Sequence, residues 1–562
     1  MTKTKWIIKS QSEATGDLAM VVLKNRGFDE EQIEHFLHPS YLTDLADPFL
    51  LPDMKAAVER ILTAIELQQK IVIYGDYDID GITASSLLYD FFQSAGAQSI
   101  EVYIPDRFEE GYGLNSAAIK DLKKSATDLV ITVDCGVTAV VQAKLAKTIG
   151  LDLIITDHHE PLDDIPIGQI ALVNPKLSTS KYPFRELAGV GVAFSLVRAL
   201  LIQKPTLLKA GQEKWLLDLV ALGTVCDVVP LVGENRALAS FGLQVMRKTR
   251  RAGLKALAEV SATEISQVNE SDLGFRFGPR LNAAGRLEHA KTALDLLLST
   301  DLTQAHELAQ KLSELNTERQ SQTQEIFNQA DMQAKKCGQD LVLVLADKSW
   351  SHGIVGIVAS KIAEKWHKPT ILLQILGDTC KGSARSYGDF SIIDGLNACS
   401  DTLIQFGGHS FAAGMKLKTE NVELFSHTLN QYALKAINIE SMLQRIEVDA
   451  VLHSEQLKLE SVAVLGPLQP YGNENVQPVF SSTLELVEYR LIGQHLNHVK
   501  FRFITDKKNY IDGIAFSSAH KWSDLKTEQM YDIAYKLQEN IWQDVARLQL
   551  EVIDIKPISA HS

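Results

Sequence analysis

The sequence predicts two α/β units, the first built on a parallel sheet, joined by one long helix and followed by a small C-terminal β-barrel. Three observations carry this. Short apolar runs alternate with helical stretches between residues 71 and 173, the pattern of a parallel sheet. Residues 301–336 are polar and rich in Gln, Glu, Ala and Lys, with no proline or glycine before Gly338. Beyond about residue 440 the helical pattern gives way to short apolar runs of strand length.

Taken in order, residues 1–70 read as an N-terminal extension with short helices. The first α/β unit spans 71–300. Its strands are predicted at Ile71–Tyr74, Ile100–Ile104, Asp128–Val133, Leu151–Thr156 and Ile170–Val173. A turn is expected over Gly75–Gly81 and a helix over Ile82–Gln93, with another helix from Val137 to Thr148. From Val190 to Leu298 the pattern is mostly helical. Residues 301–336 form the connecting helix. The second α/β unit, 337–439, opens with a strand at Leu341–Leu345, a helix at Ile354–Trp366 and a strand at Thr370–Ile375. In the last part, 440–562, Leu484–Val487, Val499–Phe503, Ile511–Phe516 and Leu548–Ile555 suggest a barrel of the oligonucleotide-binding type.

Composition narrows the function. The 562 residues carry a net charge of −14, which argues against a protein that coats nucleic acid with its whole surface. A local basic groove is compatible with it, and some of the acidity can be metal-binding carboxylate. No stretch approaches the roughly 18 apolar residues of a membrane span. Met1–Ser10 lacks the apolar core of a secretory signal. Five scattered cysteines show neither a zinc spacing nor a disulfide framework, so a reducing cytoplasm is expected.

Four segments carry the chemistry. Gly75-Asp76-Tyr77-Asp78-Ile79-Asp80-Gly81 places three carboxylates at alternate positions after a strand, where an extended segment projects them the same way. Asp134 ends the strand Leu129–Val133, Asp157-His158-His159 ends another, and Asp227 follows Thr224-Val225-Cys226. In open α/β sheets ligands gather at such strand ends. A single aspartate there is ordinarily a cap or an ion-pair partner, and Asp157 can be a cap or a histidine orienter. Together, the carboxylates would repel unless a cation or proton stood between them. Oxygen and imidazole donors without thiolate suit Mn2+ or Mg2+. Two ions about 3.5–4 Å apart can activate a water and steady the leaving oxygen in displacement at phosphorus. Asp134 is the candidate bridging ligand. Asp76 and Asp78 are assigned to one ion, and Asp80, His158 and Asp227 to the other. His159 either faces the substrate phosphate as a catalytic group or serves as a supporting hydrogen-bond partner.

These segments resemble the DHH phosphoesterase superfamily, and within it the bacterial RecJ-type single-strand-specific exonucleases. Tyr103-Ile104-Pro105-Asp106-Arg107 with Glu110-Gly111-Tyr112-Gly113-Leu114-Asn115 is similar to the family's second substrate-cleft segment. Gly278-Pro279-Arg280-Leu281-Asn282-Ala283-Ala284-Gly285-Arg286 is similar to a more specific RecJ signature. His352-Gly353-Ile354-Val355-Gly356, Gly382-Ser383-Ala384-Arg385-Ser386 and Gly407-Gly408-His409 resemble the DHH-associated domain. Tyr535-Lys536-Leu537 with Asn540 and Trp542 resembles, more weakly, the oligonucleotide-binding domain. One position departs from the superfamily: Tyr74 stands where its pyrophosphatase branch has a histidine, and Asp76 is the expected substitute. The chain closes soon after the barrel, so a further C-terminal domain found in some relatives is not expected.

The resemblance implies the rest. Guanidinium groups grip phosphate through paired hydrogen bonds, which makes Arg280 and Arg286, with Asn282, candidates for holding the backbone. Arg107 adds another phosphate contact, and Tyr112 can stack on a base. Ser383, Arg385 and His409 are expected in Gly-rich loops that grip the 5′ end, and the barrel would lengthen the grip on the strand. The implied function is a 5′-to-3′ exonuclease of single-stranded DNA that uses two Mn2+ or Mg2+ ions, releases 5′ mononucleotides and serves repair and recombination. It is expected to be a cytoplasmic monomer, supplied by a single-stranded DNA-binding protein and a helicase. The alternatives are a hydrolase of short oligonucleotides, cyclic dinucleotides or pyrophosphate, and a non-catalytic DNA-binding scaffold.

Overall fold

A computed structural model describes residues 4–10, 16–107, 109–111, 113–493, 495–522, 525–543 and 545–558. The chain forms two compact units. One comprises Phe28–Asn316 and Leu465–Gln477, the other Met1–Gly27, Thr317–Val464 and Pro478–Ser562. The division falls inside the long helix and returns a short C-terminal segment, 465–477, to the first unit.

The first unit is built on a parallel sheet of β1 (Ile71–Gly75), β2 (Ile100–Tyr103), β3 (Leu129–Val133), β4 (Asp152–Thr156) and β5 (Ala171–Val173), in the order β2-β1-β3-β4-β5. Residues of β1 and β3 are buried throughout, as expected of strands covered on both faces. The order reverses between β1 and β3, which opens a crevice at their carboxyl ends. Helix α1 (Ile79–Ser94) follows β1. Helices α2 (Gly189–Gln203) and α3 (Leu217–Cys226) pack against it in one apolar core with Ile82, Leu87, Val190 and Leu222. Helix α4 (Gly278–Leu287) follows a π-helical turn at Leu273–Phe277. The predicted connecting helix is α5 (Leu302–Lys336).

In the second unit, β6 (Leu343–Asp347), α6 (His352–Trp366), β7 (Thr370–Leu376), β8 (Thr379–Arg385), β9 (Leu403–Gly408) and β10 (Ala412–Lys418) give a mixed sheet ordered β9-β10-β8-β7-β6. Its β6–β7 pair is parallel and the others are antiparallel. The C-terminal strands are β11 (Phe480–Ile492), β12 (His498–Ile504), β13 (Tyr510–Ala515), β14 (Gln529–Trp542) and β15 (Val545–Pro557). They run β11-β12-β13-β15-β14, and pairing of β14 back onto β11 closes the barrel. The α/β class and the barrel are those the sequence predicts. Strand β14 is an addition to the expected set. The N-terminal strand Lys5–Ile8 pairs in parallel with Arg445–Val448, so the first residues of the chain belong to this unit. Among the described residues no helix is long and apolar enough to cross a membrane.

Candidate metal centre

The three alternating carboxylates are presented differently from expectation. Helix α1 begins at Ile79, three residues earlier than predicted. Asp78 is its N-cap, accepting from the Gly81 amide at 3.1 Å, and Asp80 lies in its first turn. Capping and the positive end of the helix dipole both favour carboxylates here, so the segment turns helical instead of staying extended. Asp76 alone remains in the turn that leaves β1.

Asp80 is fully buried. Its Oδ2 accepts from the Gly189 amide at 2.6 Å and its Oδ1 from the Val190 amide at 2.8 Å, so it also caps α2. Asp134 leaves β3 in the left-handed region, at φ 60°, which aspartate tolerates better than most residues. Asp227 caps the C-terminus of α3. His158 Nε2 lies 3.1 Å from Asp134 Oδ1, 3.6 Å from Asp227 Oδ2 and 3.7 Å from Asp80 Oδ2. Candidate donor atoms fall into three overlapping groups within 4.8 Å: Asp76, Asp78 and Asp134; Asp80, His158 and Asp227; Asp134, His158 and His159. Asp134 links the first group to the histidines.

The electrostatics fit a cation. Burial, followed by its carboxylate neighbours, raises the Asp134, Asp76 and Asp227 carboxyls well above their ordinary range. Burial and Asp78 raise Asp80 to about 7. Burial, then His159, lowers the His158 imidazole to about 3 and keeps it neutral. Asp76 Oδ1, Asp134 Oδ1 and His158 Nε2 are buried without a hydrogen-bond partner. Buried polar atoms are ordinarily satisfied, and here one neutral imidazole nitrogen converges with carboxylate oxygens. This hard-donor set fits Mn2+ or Mg2+.

Asp157 takes the orienting role. Its Oδ2 accepts from the Val137 amide at 2.8 Å, and its Oδ1 from the His158 and His159 amides and from His159 Nδ1, at 2.7, 3.1 and 2.8 Å. Burial alone would raise this carboxyl, but the His159 hydrogen bond and the two imidazoles hold it low. In return, Asp157 outweighs burial at His159 and raises the imidazole. Tyr74, at the divergent position, is buried. It stacks on Tyr103 at 5.0 Å between centroids and donates to the Gly113 carbonyl at 3.0 Å.

The other predicted residues divide between the units. Arg107 lies over the Tyr77 ring at 5.1 Å. Tyr112 lies outside the described residues. Arg280, Asn282 and Arg286 are partly exposed on α4, where Arg280 donates to the Arg276 carbonyl and to Ser313 Oγ. Ser383 and Arg385 are not in a loop. They lie on β8, where Cys380, Gly382 and Ala384 point inward and leave Ser383 and Arg385 together on the opposite face. That period-two alternation makes the Gly-rich stretch a strand. His409 follows β9, its amide donating to the Ala412 carbonyl at 2.8 Å. Tyr535 is a core residue bonded to Ser482 Oγ, whereas Trp542 is exposed at the end of β14.

Gly189 and Val190 were not singled out by sequence reasoning. A Cβ at Gly189 would lie 2.7 Å from Asp134 Cβ and 2.9 Å from Asp80 Oδ2. The only signal was the Gly189-Val190-Gly191 spacing at a helix start.

A carboxylate–imidazole cluster at the carboxyl ends of this parallel sheet defines a DHH-type, metal-dependent phosphoesterase. Family models match accordingly: the DHH family N-terminal domain over residues 70–224, the DHHA1 domain over 339–435 and the RecJ OB domain over 448–554. The chain belongs to the RecJ family. It is 41% identical to the single-stranded-DNA-specific exonuclease RecJ of Bacillus subtilis, over 96% of this chain and 67% of that protein. It is 36% identical to the corresponding exonuclease of Haemophilus influenzae, over 92% and 93%. The crystal structure of Thermus thermophilus RecJ with Mn2+ superposes with a TM-score of 0.83 at 28% identity, covering 99% of this chain and 80% of that one. The same enzyme with Mg2+ gives 0.78 at 27% identity, covering 99% and 79%.

Proposed function

We propose that this chain is a single-stranded-DNA-specific exonuclease that works from the 5′ end and releases 5′ mononucleotides in DNA repair and recombination. The observation that carries this reading is the convergence of unpartnered, buried donors on Asp134 in a member of the RecJ family. Asp76, Asp78 and Asp134 would hold one divalent ion, and Asp134, Asp80, His158 and Asp227 a second. When bound, the ions supply activation of a water and stabilisation of charge on the leaving oxygen.

The protein's own part is positioning. Main-chain amides at the start of α2 fix Asp80, and the α3 terminus fixes Asp227. Asp157 holds His159 through Nδ1 and favours its cation, so a phosphate contact falls to Nε2. Arg280, Arg286, Asn282 and Arg107 would hold the strand's phosphates, and Tyr112 a base. Ser383 and Arg385, on one strand face, and His409 would take the 5′ phosphate. The barrel would hold the trailing strand. We assign the DHH domain to 71–300, the end-binding domain to 337–439 and the strand-binding domain to 440–562. A monomer in the cytoplasm, fed by a single-stranded DNA-binding protein and a helicase, completes the reading.

The test uses Mn2+ with 5′-labelled strand, 3′-labelled strand and blunt duplex. Immediate release of labelled mononucleotide from the 5′-labelled strand alone is expected. Immediate mononucleotide release from the 3′ label would reverse the polarity, and cleavage of short oligonucleotides alone would favour a small-nucleotide hydrolase.

A further inference from the structure

The turn that follows Asp227 is held by a distant piece of the chain. Val228, the next residue, has φ 61°, a left-handed conformation that is a genuine outlier for a β-branched side chain. Its side chain is 65% exposed, so packing of that side chain does not explain the conformation. The main chain around it is clamped instead. Asn473 Nδ2 donates to the Val228 carbonyl at 3.1 Å, and the Leu231 amide donates to the Asn473 carbonyl at 2.8 Å. One residue thereby holds both ends of the Val228–Leu231 turn.

Asn473 is itself fixed within the 465–477 segment. The neighbouring Gly472 packs closely on Leu231: a Cβ there would lie 2.5 Å from Leu231 Cδ1, so a larger residue would have to displace that side chain. The Tyr471 amide donates to Glu270 Oε1 at 2.9 Å. Arg236 Nη1 and Nη2 donate to the Leu468 and Pro467 carbonyls at 3.0 and 2.8 Å. Asn475 Nδ2 closes the segment on itself through the Leu468 and Pro470 carbonyls, at 2.9 and 2.8 Å.

We infer that the 465–477 segment is a clasp and that Asn473 is a positioning residue for Asp227, holding the strained turn that aims its carboxylate at His158 and Asp80. Strained backbone persists where the surroundings over-determine it, and it collects at functional sites. Residues that hold metal ligands in place from behind typically contribute 10–100-fold in metal affinity. This inference rests on the reading of Asp227 as a metal ligand.

The test measures Mn2+ binding by EPR of the free ion, on full-length protein without DNA. Asn473→Ala is expected to weaken binding about tenfold and to lower kcat, with KM for single-stranded DNA unchanged and the melting temperature in chelator unchanged. Asn473→Asp, which keeps the size but loses the donor, is expected to behave likewise. Val228→Gly in the Asn473→Ala background is expected to restore binding, because glycine adopts this φ without a clamp. Wild-type Mn2+ affinity in Asn473→Ala, beside a weakened Asp227→Ala control, would overturn the clasp alone. Equal losses of chelated-state stability and affinity, without rescue by Val228→Gly, would reduce Asn473 to a general structural role and also overturn it. Wild-type affinity in Asp227→Ala would instead overturn the ligand assignment, and the clasp's role with it.

Discussion

His158 Nε2 lies 3.1 Å from Asp134 Oδ1, both atoms are buried, and neither makes a hydrogen bond. The His158 ring is kept neutral by burial, and the carboxylate is pushed toward protonation by burial and then by its carboxylate neighbours. Such a pair is poorly satisfied alone, and both atoms would be satisfied as ligands of a divalent cation.

Without metal, the cluster makes the folded state bind protons that the unfolded chain releases. Asp80 carries a folded value of about 7 against an ordinary 3.8, and Asp134, Asp76 and Asp227 shift the same way. The lowered His158 imidazole opposes this trend, but one imidazole stands against four raised carboxyls, so the folded state holds more protons between about pH 4 and 7 and stability falls as pH rises through that window. Thermal melts in chelator are expected to show a melting temperature that declines from pH 5 to pH 8. Saturating Mn2+ should raise it at pH 8 by mass action, adding about 2.7 kcal/mol of stability per site at a hundredfold excess over Kd, with protons released on binding. A flat chelated profile would contradict this.

Asp157→Ala is expected to destabilise the protein by about 3 kcal/mol, because it strands buried main-chain amides. The amides of Val137, His158 and His159 all lose their acceptor. Asp157→Asn keeps an acceptor oxygen and should retain at least half of that stability. Urea unfolding measures both, and equal stability of the alanine variant and wild type would remove Asp157 from this role.

Gly189→Ala should damage the candidate metal centre without replacing any of its candidate ligands. Its methyl group would press on Asp134 and Asp80. Mn2+ affinity is expected to fall by at least roughly tenfold, as for other groups that support metal ligands, with the circular dichroism spectrum kept. Wild-type affinity would show that the cleft relaxes freely around the extra carbon.

The ends of β1, β3 and β4 were legible because chemistry and strand pattern coincide locally: an apolar run stops and Asp76, Asp134 or Asp157 begins. Strand β14 also carries a period-two signal, with Tyr531, Ile533, Tyr535 and Leu537 buried at alternate positions, but buried Ala534 at a register shift and its charged and amide residues mask the run. The supports of the site were not legible. The Gly189 and Asn473 contacts span 109 and 245 positions and act on or through main-chain atoms, which leave no residue signature. Ser383 and Arg385 were expected in a loop because Gly382 resembles punctuation, whereas their burial alternation is that of a strand.

The most direct test of the account is the Mn2+ stoichiometry of wild type beside Asp134→Asn, read by EPR on the full-length chain, with exonuclease activity measured on the same samples. Two ions per wild-type chain are predicted. Loss of at least one is predicted in the variant, with cleavage down by roughly a thousandfold, or about 4 kcal/mol of barrier, and single-strand binding retained. Two ions bound at wild-type affinity and undiminished cleavage in Asp134→Asn would contradict the claim that the site is organised around Asp134.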